Sequence, residues 1–143
     1  MRLVIDVGNT HTVLGVFENE NMVRDWRIHT DPGITADEFH LMISFFFQEA
    51  GIKRDLINKT VISCVVPPLA NMLTAFCQDY LNHLPLWVSA KNAKMPILYD
   101  NPAEVGADRL VNAVAAYKKY TTSLIVIDFG TATTFDVISE KGE

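Results

Sequence analysis

No stretch of this 143-residue chain approaches the roughly 18–20 consecutive apolar residues that cross a bilayer, so no membrane association is expected. The opening Met1-Arg2-Leu3-Val4-Ile5-Asp6 is too short and too soon acidic for a secretory signal. Basic residues are scarce: twelve Lys and Arg stand against seventeen Asp and Glu, for a net charge of −5. Non-specific nucleic-acid binding needs a basic face to displace phosphate counterions, and this balance argues against it. Only two cysteines occur, Cys64 in a strand-like run and Cys77 in a helix-like one. Their spacing fits no zinc pattern, so both read as reduced core residues of a cytoplasmic protein. The four histidines are scattered, with none paired at metal-ligand spacing, and only His11 lies within reach of a candidate site. Two nucleotide signatures are missing as well. The chain has no Gly-x-x-x-x-Gly-Lys-Ser/Thr and no Gly-x-Gly-x-x-Gly, so a bound nucleotide would not be held in a P-loop or dinucleotide manner.

What is present is a pair of similar stretches near opposite ends. Ile5-Asp6-Val7-Gly8-Asn9-Thr10-His11-Thr12 and Ile127-Asp128-Phe129-Gly130-Thr131-Ala132-Thr133-Thr134 each follow a β-branched apolar run and lead into another. Each reads as strand, glycine-bearing turn, strand, with an aspartate where the first strand ends. Glycine lets backbone N–H groups approach an anion closely, and successive amides in a tight turn form an anion-binding concavity without a lysine. An aspartate repels phosphate, so Asp6 makes sense there as a partner of a divalent ion, most plausibly a partly hydrated magnesium. Asp128 invites the same reasoning. The plainer alternative is two hairpin turns that use Asp and Gly for geometry alone. The repetition favours a duplicated phosphate-gripping device.

With 49% apolar residues the chain has enough for one compact core. Period-two patterning predicts strands over Arg2–Val7, Thr12–Glu18 and Met22–His29, a meander. Thr35 with Glu38 three residues on predicts a capping box. The helix after it carries Phe39, Met42, Ile43, Phe46 and Phe47 on one face and ends at Gly51. Further strands are expected over Thr60–Val66, stopped by Pro67-Pro68, and over Leu86–Val88, with an extended piece at Pro96–Tyr99. Leu69–Leu81 reads as a helix. Asn101-Pro102-Ala103-Glu104 reads as the start of another, running to about Tyr120 with Leu110, Val111, Val114, Ala115 and Tyr117 on one side. A second hairpin, Leu124–Asp128 with Thr134–Ile138, closes the chain. The expected fold is α/β: a ribonuclease-H-like (actin-like ATPase) domain with a mixed β-β-β-α-β-α-β-α sheet over residues 1–122. Residues 123–143 are expected to open a second, similar lobe, which implies a protein roughly twice this length.

Gly106-Ala107-Asp108-Arg109 lies near the start of the last helix. An acid there is stabilised by free amides, which is one reading of Asp108. The other is a general base that accepts a hydroxyl proton as the oxygen attacks phosphorus. Arg109 suits a substrate carboxylate or transition-state charge.

Together, Asp6-Val7-Gly8-Asn9-Thr10, Gly106-Ala107-Asp108-Arg109 and Asp128-Phe129-Gly130-Thr131-Ala132 resemble the signature of type III pantothenate kinases. Ser63-Cys64-Val65-Val66-Pro67 and Tyr99-Asp100-Asn101-Pro102 also fit, and the likeness runs the whole chain in order. The resemblance implies a member of the acetate and sugar kinase/Hsc70/actin superfamily, with two ribonuclease-H-like lobes closing over ATP. It implies that Asp6, Val7, Gly8, Asn9, Thr10, His11, Thr12 and Val13, with Thr131, contact ATP and its Mg²⁺, the metal falling to Asp6. It implies Asp108 as proton acceptor, and Tyr99, Gly106, Ala107, Asp108 and Arg109 as the pantothenate site. Asp128 would hold a monovalent cation, potassium or ammonium. Such kinases are homodimers that make 4'-phosphopantothenate, the first step toward coenzyme A; without the contacts of the second lobe, this chain alone is expected to be inactive or nearly so as a kinase. Three other readings remain open. They are a sugar or acetate kinase of the same superfamily, a two-metal nuclease with a ribonuclease-H-like core, and a non-catalytic accessory factor for transcription.

Overall fold

Seven strands and three helices follow one another in an order that leaves the aspartate of each glycine turn at a strand end. The structure is a computed structural model that describes residues 1–143, Ala103 through its backbone alone. The chain divides into two compact units, Met1–Trp87 and Val88–Glu143.

In the first unit, β1 (Arg2–Val7), β2 (His11–Glu18) and β3 (Asn21–His29) form the expected antiparallel meander. Helix α1 (Ala36–Glu49) then carries the chain over to β4 (Lys59–Cys64), which lies parallel to β1. Helix α2 (Leu69–Leu81) does the same for β5 (Leu86–Trp87), parallel to β4. The sheet order is β3-β2-β1-β4-β5, a mixed sheet with β1 at its centre. Strand β1 alternates as a strand must: Leu3, Ile5 and Val7 are buried to 0–1% exposure, while Val4 and Asp6 face the other way, half-buried.

The helices form for the reasons their sequences give. The Thr35 hydroxyl accepts the Glu38 N–H at 3.2 Å and the Glu38 carboxylate accepts the Thr35 N–H at 2.9 Å, a complete capping box. These bonds from Thr35 hold the Glu38 carboxyl below its ordinary pKa. Gly51 adopts φ +67° just past the end, where a Cβ would be strained. Phe39, Ile43 and Phe47 of α1 are buried, and Phe39 meets Phe76 of α2 edge to face at 4.9 Å. Cys77 is fully buried and Cys64 half-buried, and both are free thiols. Burial pushes the Cys77 thiol up to about 11. Strand β4 stops at Cys64 rather than Val66. There the Val66 N–H turns back to the Cys64 sulfur at 3.4 Å, which bends the chain before the prolines do.

The second unit contains α3 (Ala107–Tyr120) and the hairpin β6 (Leu124–Phe129) with β7 (Thr133–Ile138). Pro96–Tyr99, expected as an extended piece, pairs into no strand. The helix does not begin at Asn101: Pro102–Glu104 is a single 3-10 turn, and α3 starts only at Ala107. The reason is local. The Asn101 side-chain amide donates to the Glu104 carboxylate at 2.7 Å across the 3-10 turn, and Gly106 is extended at φ −57°, ψ 145°, which parts that turn from α3. The buried residues of α3 are Leu110 and Ala113, while Ala115, expected on the same side as Leu110, is exposed. Helix α3 groups with the final hairpin in one compact unit. On the hairpin, Asp136 and Ile138 point inward while Ile125, Ile127, Phe129, Phe135 and Val137 form an exposed apolar face. Among the described residues no helix is long and apolar enough to cross a membrane.

Leu73 of α2, 1% exposed in the core of the first unit, tests the packing. Leu73→Ala should lower the unfolding free energy by about 2–5 kcal/mol, read as a shifted urea midpoint with an unchanged slope.

Candidate functional site

Asp6 sits one residue before the end of β1, in register with Val13 of β2 on one side and Ser63 of β4 on the other. β1 and β4 are parallel, so their carboxyl ends open together at the sheet edge, the place where ligands enter open α/β sheets. The Ser63 hydroxyl is buried and has no hydrogen-bond partner among the described residues, an unused polar group beside the Asp6 position. Burial raises the Cys64 thiol pKa, the Val66 backbone opposes the shift, and the charge of Asp6 adds to it.

The first turn spans residues 8–11, since Val7 pairs with Thr12. The Gly8 N–H donates to the His11 carbonyl at 3.0 Å, and a Cβ on Gly8 would lie 3.2 Å from that oxygen. The tightness of the turn therefore favours glycine, since a Cβ would require the His11 carbonyl to give by a few tenths of an ångström. Asn9, Thr10 and His11 are exposed, and His11 stacks on His29 at 5.1 Å. Thr12 is different: it is 4% exposed, with its hydroxyl 2.9 Å from that of Thr30.

The second turn is not a copy of the first. Phe129 pairs with Thr133, so only residues 130–132 intervene, and the Gly130 N–H donates to the Ala132 carbonyl at 3.2 Å. Asp6 faces Val13 across its hairpin, seven residues on. Asp128 faces Thr134, six residues on. Because strand side chains alternate, this one-residue slip changes which side chains flank each aspartate. Asp128 is half-buried and Thr131 exposed.

Within the second unit the structure brings Tyr99 and Arg109 together and adds a residue that sequence reasoning missed. The Arg109 Nε donates to Asp136 Oδ1 at 2.5 Å, and its Nη2 pairs with the same oxygen. Asp136 is 9% exposed, and its other oxygen is buried without a hydrogen-bond partner among the described residues. Hydrogen bonding to Asp136 raises the Arg109 pKa above its ordinary value; partial burial opposes this, and the Tyr99 side chain adds a further hydrogen bond. Tyr99, Arg109, Asp136, Leu98, Leu110 and Phe135 are among the walls of a cavity of about 290 Å³. A guanidinium has five N–H donors, so Asp136 leaves several for another planar anion. Asp108 is half-buried in the first turn of α3, its Oδ1 accepting the Arg109 N–H at 2.8 Å. Gly106 caps that helix with no side chain. Gly106 and Ala107 are half-buried beside it.

Among the described residues no three His, Cys, Asp or Glu side chains cluster closely enough to hold a metal.

A mixed sheet ordered β3-β2-β1-β4-β5, with helical crossovers and a second glycine-turn hairpin, defines the actin-like ATPase class of fold. A putative N-acetylglucosamine kinase from Porphyromonas gingivalis superposes with a TM-score of 0.52 at 15% identity, over 98% of this chain and 45% of that one, a likeness of fold alone. Sequence comparison is more specific. The family model for type III pantothenate kinase matches residues 2–143, and the chain belongs to that family. Proteins named type III pantothenate kinase from Desulfatibacillum aliphaticivorans and Geobacter sulfurreducens are 61% and 54% identical to it over 144 residues. Each comparison covers 100% of this chain and 56% of the relative, so the chain spans a little over half the length of these relatives.

A sequence signal for Asp136 existed: Thr134, Asp136 and Ile138 alternate onto the inward face of β7, where a charge needs a partner. Removing that partner has a defined cost. Asp136→Ala should lower unfolding free energy by about 2–3 kcal/mol, below the value for a fully buried pair because a third of Arg109 is exposed. Asp136→Asn, which keeps an acceptor, should lose less; urea denaturation of the two variants checks the order.

Proposed function

We propose that this chain carries the phosphate-binding turns, catalytic base and substrate pocket of an ATP-dependent pantothenate kinase, the enzyme that makes 4'-phosphopantothenate at the entry to coenzyme A biosynthesis. Family membership over residues 2–143 is the observation that carries the reading. The Arg109–Tyr99 pair on a cavity of about 290 Å³ supports it, since pantothenate is a small carboxylate with an amide, an apolar gem-dimethyl centre and a hydroxyl.

In this mechanism Arg109 holds the pantothenate carboxylate through the N–H groups that Asp136 leaves, with Tyr99 beside it. Gly106 and Ala107, at an N-terminus without a side-chain cap, offer backbone donors to the rest of the substrate. The pantothenate hydroxyl oxygen forms a bond to the γ-phosphorus, the bond from that phosphorus to the ADP oxygen breaks, and Asp108 takes the hydroxyl proton. Residues Asp6–Val13 line the ATP phosphates, with Thr131 contributing from the second turn. Mg²⁺, held by Asp6 mainly through water, would neutralise phosphate charge, and the orphaned Ser63 hydroxyl beside the Asp6 position fits a hydrated cation there. Asp128 is assigned a monovalent cation, potassium or ammonium, at the end of β6. The reading includes two ribonuclease-H-like lobes divided near residue 123, a homodimer, and a cytoplasmic location in keeping with free cysteines.

The decisive assay is pantothenate-dependent ADP release, with acetate and hexoses as competing substrates. Because the relatives are longer, it is run with this chain alone and with the remaining part of a relative's chain supplied in trans. Turnover with pantothenate, greatly increased by the added part, is the expected result. Turnover with a hexose or acetate instead would reassign the substrate. Asp108→Asn should lower kcat by about 10²–10⁴-fold while MgATP binding is retained.

A further inference from the structure

Thr30 follows the last residue of β3 and was not singled out by any sequence motif, yet it makes three hydrogen bonds in the neighbourhood of the first glycine turn. Its N–H donates to the Thr10 carbonyl at 3.0 Å. Its hydroxyl donates to the Gly8 carbonyl at 2.7 Å and lies 2.9 Å from the Thr12 hydroxyl. We propose that Thr30 is the positioning residue of the phosphate-facing turn, holding the Gly8 and Thr10 carbonyls away from the bound anion, and that within the stretch 6–13 the Thr12 hydroxyl serves this brace and leaves the anion to its neighbours. The proposal rests on the reading of residues 6–13 as the ATP-phosphate site.

The direction of the hydrogen bonds follows from counting protons. A threonine hydroxyl has one hydrogen, and that of Thr30 goes to the Gly8 carbonyl. The Thr12 hydroxyl must therefore donate to Thr30. At 4% exposure it has no proton left for a phosphate. The result is a relay from Thr12 through Thr30 to Gly8, in which each bond polarises the next. Its effect on the turn is electrostatic. Gly8 and Thr10 flank Asn9, and their carbonyl oxygens, the negative ends of peptide dipoles, would repel a phosphate if they faced it. With both drawn to Thr30, the turn presents its exposed Asn9–Thr10 edge instead.

A merely structural contact at the end of β3 would stabilise the fold without favouring one ligand over another. Thr30→Val keeps the shape and removes the hydroxyl; Thr30→Ser restores the hydroxyl. In the full 143-residue chain, amide exchange over residues 8–11 should quicken about tenfold in Thr30→Val, the size of one lost hydrogen bond. Exchange in β1 and β4 should not change. By calorimetric titration the Kd for MgATP should rise by a similar factor and that for pantothenate stay put. Thr30→Ser should return both turn exchange and MgATP affinity close to the wild-type values. Wild-type turn exchange or wild-type MgATP affinity in Thr30→Val overturns the proposal, as does a defect that serine fails to rescue. Should Thr30→Val not fold, Thr12→Val removes the relay's first donor and must loosen the same turn, or the brace is wrong. A wild-type chain that binds no MgATP overturns the phosphate-site reading itself, and the exchange data distinguish that failure from failure of the brace.

Discussion

The first unit depends on the burial of β1 between two partners of opposite sense. β2 runs antiparallel on one side and β4 parallel on the other, so every ladder group of a strand whose inner face is Leu3, Ile5 and Val7 is engaged from both edges. Fully buried apolar side chains on one face leave the register no freedom, because a slip of one residue would put Val4 and Asp6 in the core. The same constraint sets Asp6 on the opposite face at the carboxyl end. The position of the Asp6 carboxylate is thereby set by apolar packing on the other face of its strand.

The two glycine turns then diverge in a way that suits unequal tasks. The first is a four-residue turn braced from behind by Thr30; the second is a three-residue turn with an exposed threonine. A duplicated motif placed with different registers presents different flanking groups to a ligand, so two similar sequences need not do the same work. In the second unit the Arg109 cavity gathers around one buried acid. Asp136 gives Arg109 a fixed partner in a largely apolar pocket, and a fixed guanidinium would recognise a carboxylate with less ordering cost than a free one.

Much of the fold was legible in the chain. The meander, α1 with its capping box, and α2 all follow from period and capping alone, since each rests on contacts within a few residues. The misjudged stretch was 96–107. There Pro102 and Asn101 gave a helix-start pattern that the Gly106 backbone interrupts, and local signals of comparable strength pointed to different starts. Of the candidate site, the sequence singles out residues bearing distinctive chemistry in glycine-marked contexts, among them Asp6, Asp108, Arg109 and Asp128. It does not single out Thr30, Ser63 or Asp136 as site candidates, because what brings each to notice is a neighbour far along the chain: Gly8 for Thr30, Asp6 in register with Ser63, Arg109 for Asp136.

The order of residues by itself determined which segments become strands and helices, which turns require glycine, and which family the chain joins. Those properties come from short-range sterics and from patterns that a linear chain carries in full. Only the tertiary structure decided that Thr12 turns inward to Thr30, that Arg109 is claimed by Asp136, and that the two hairpins differ by one residue in register. Hydrogen-bond partners and strand register are settled by which surfaces are driven together out of water, and that outcome is a property of the packed molecule.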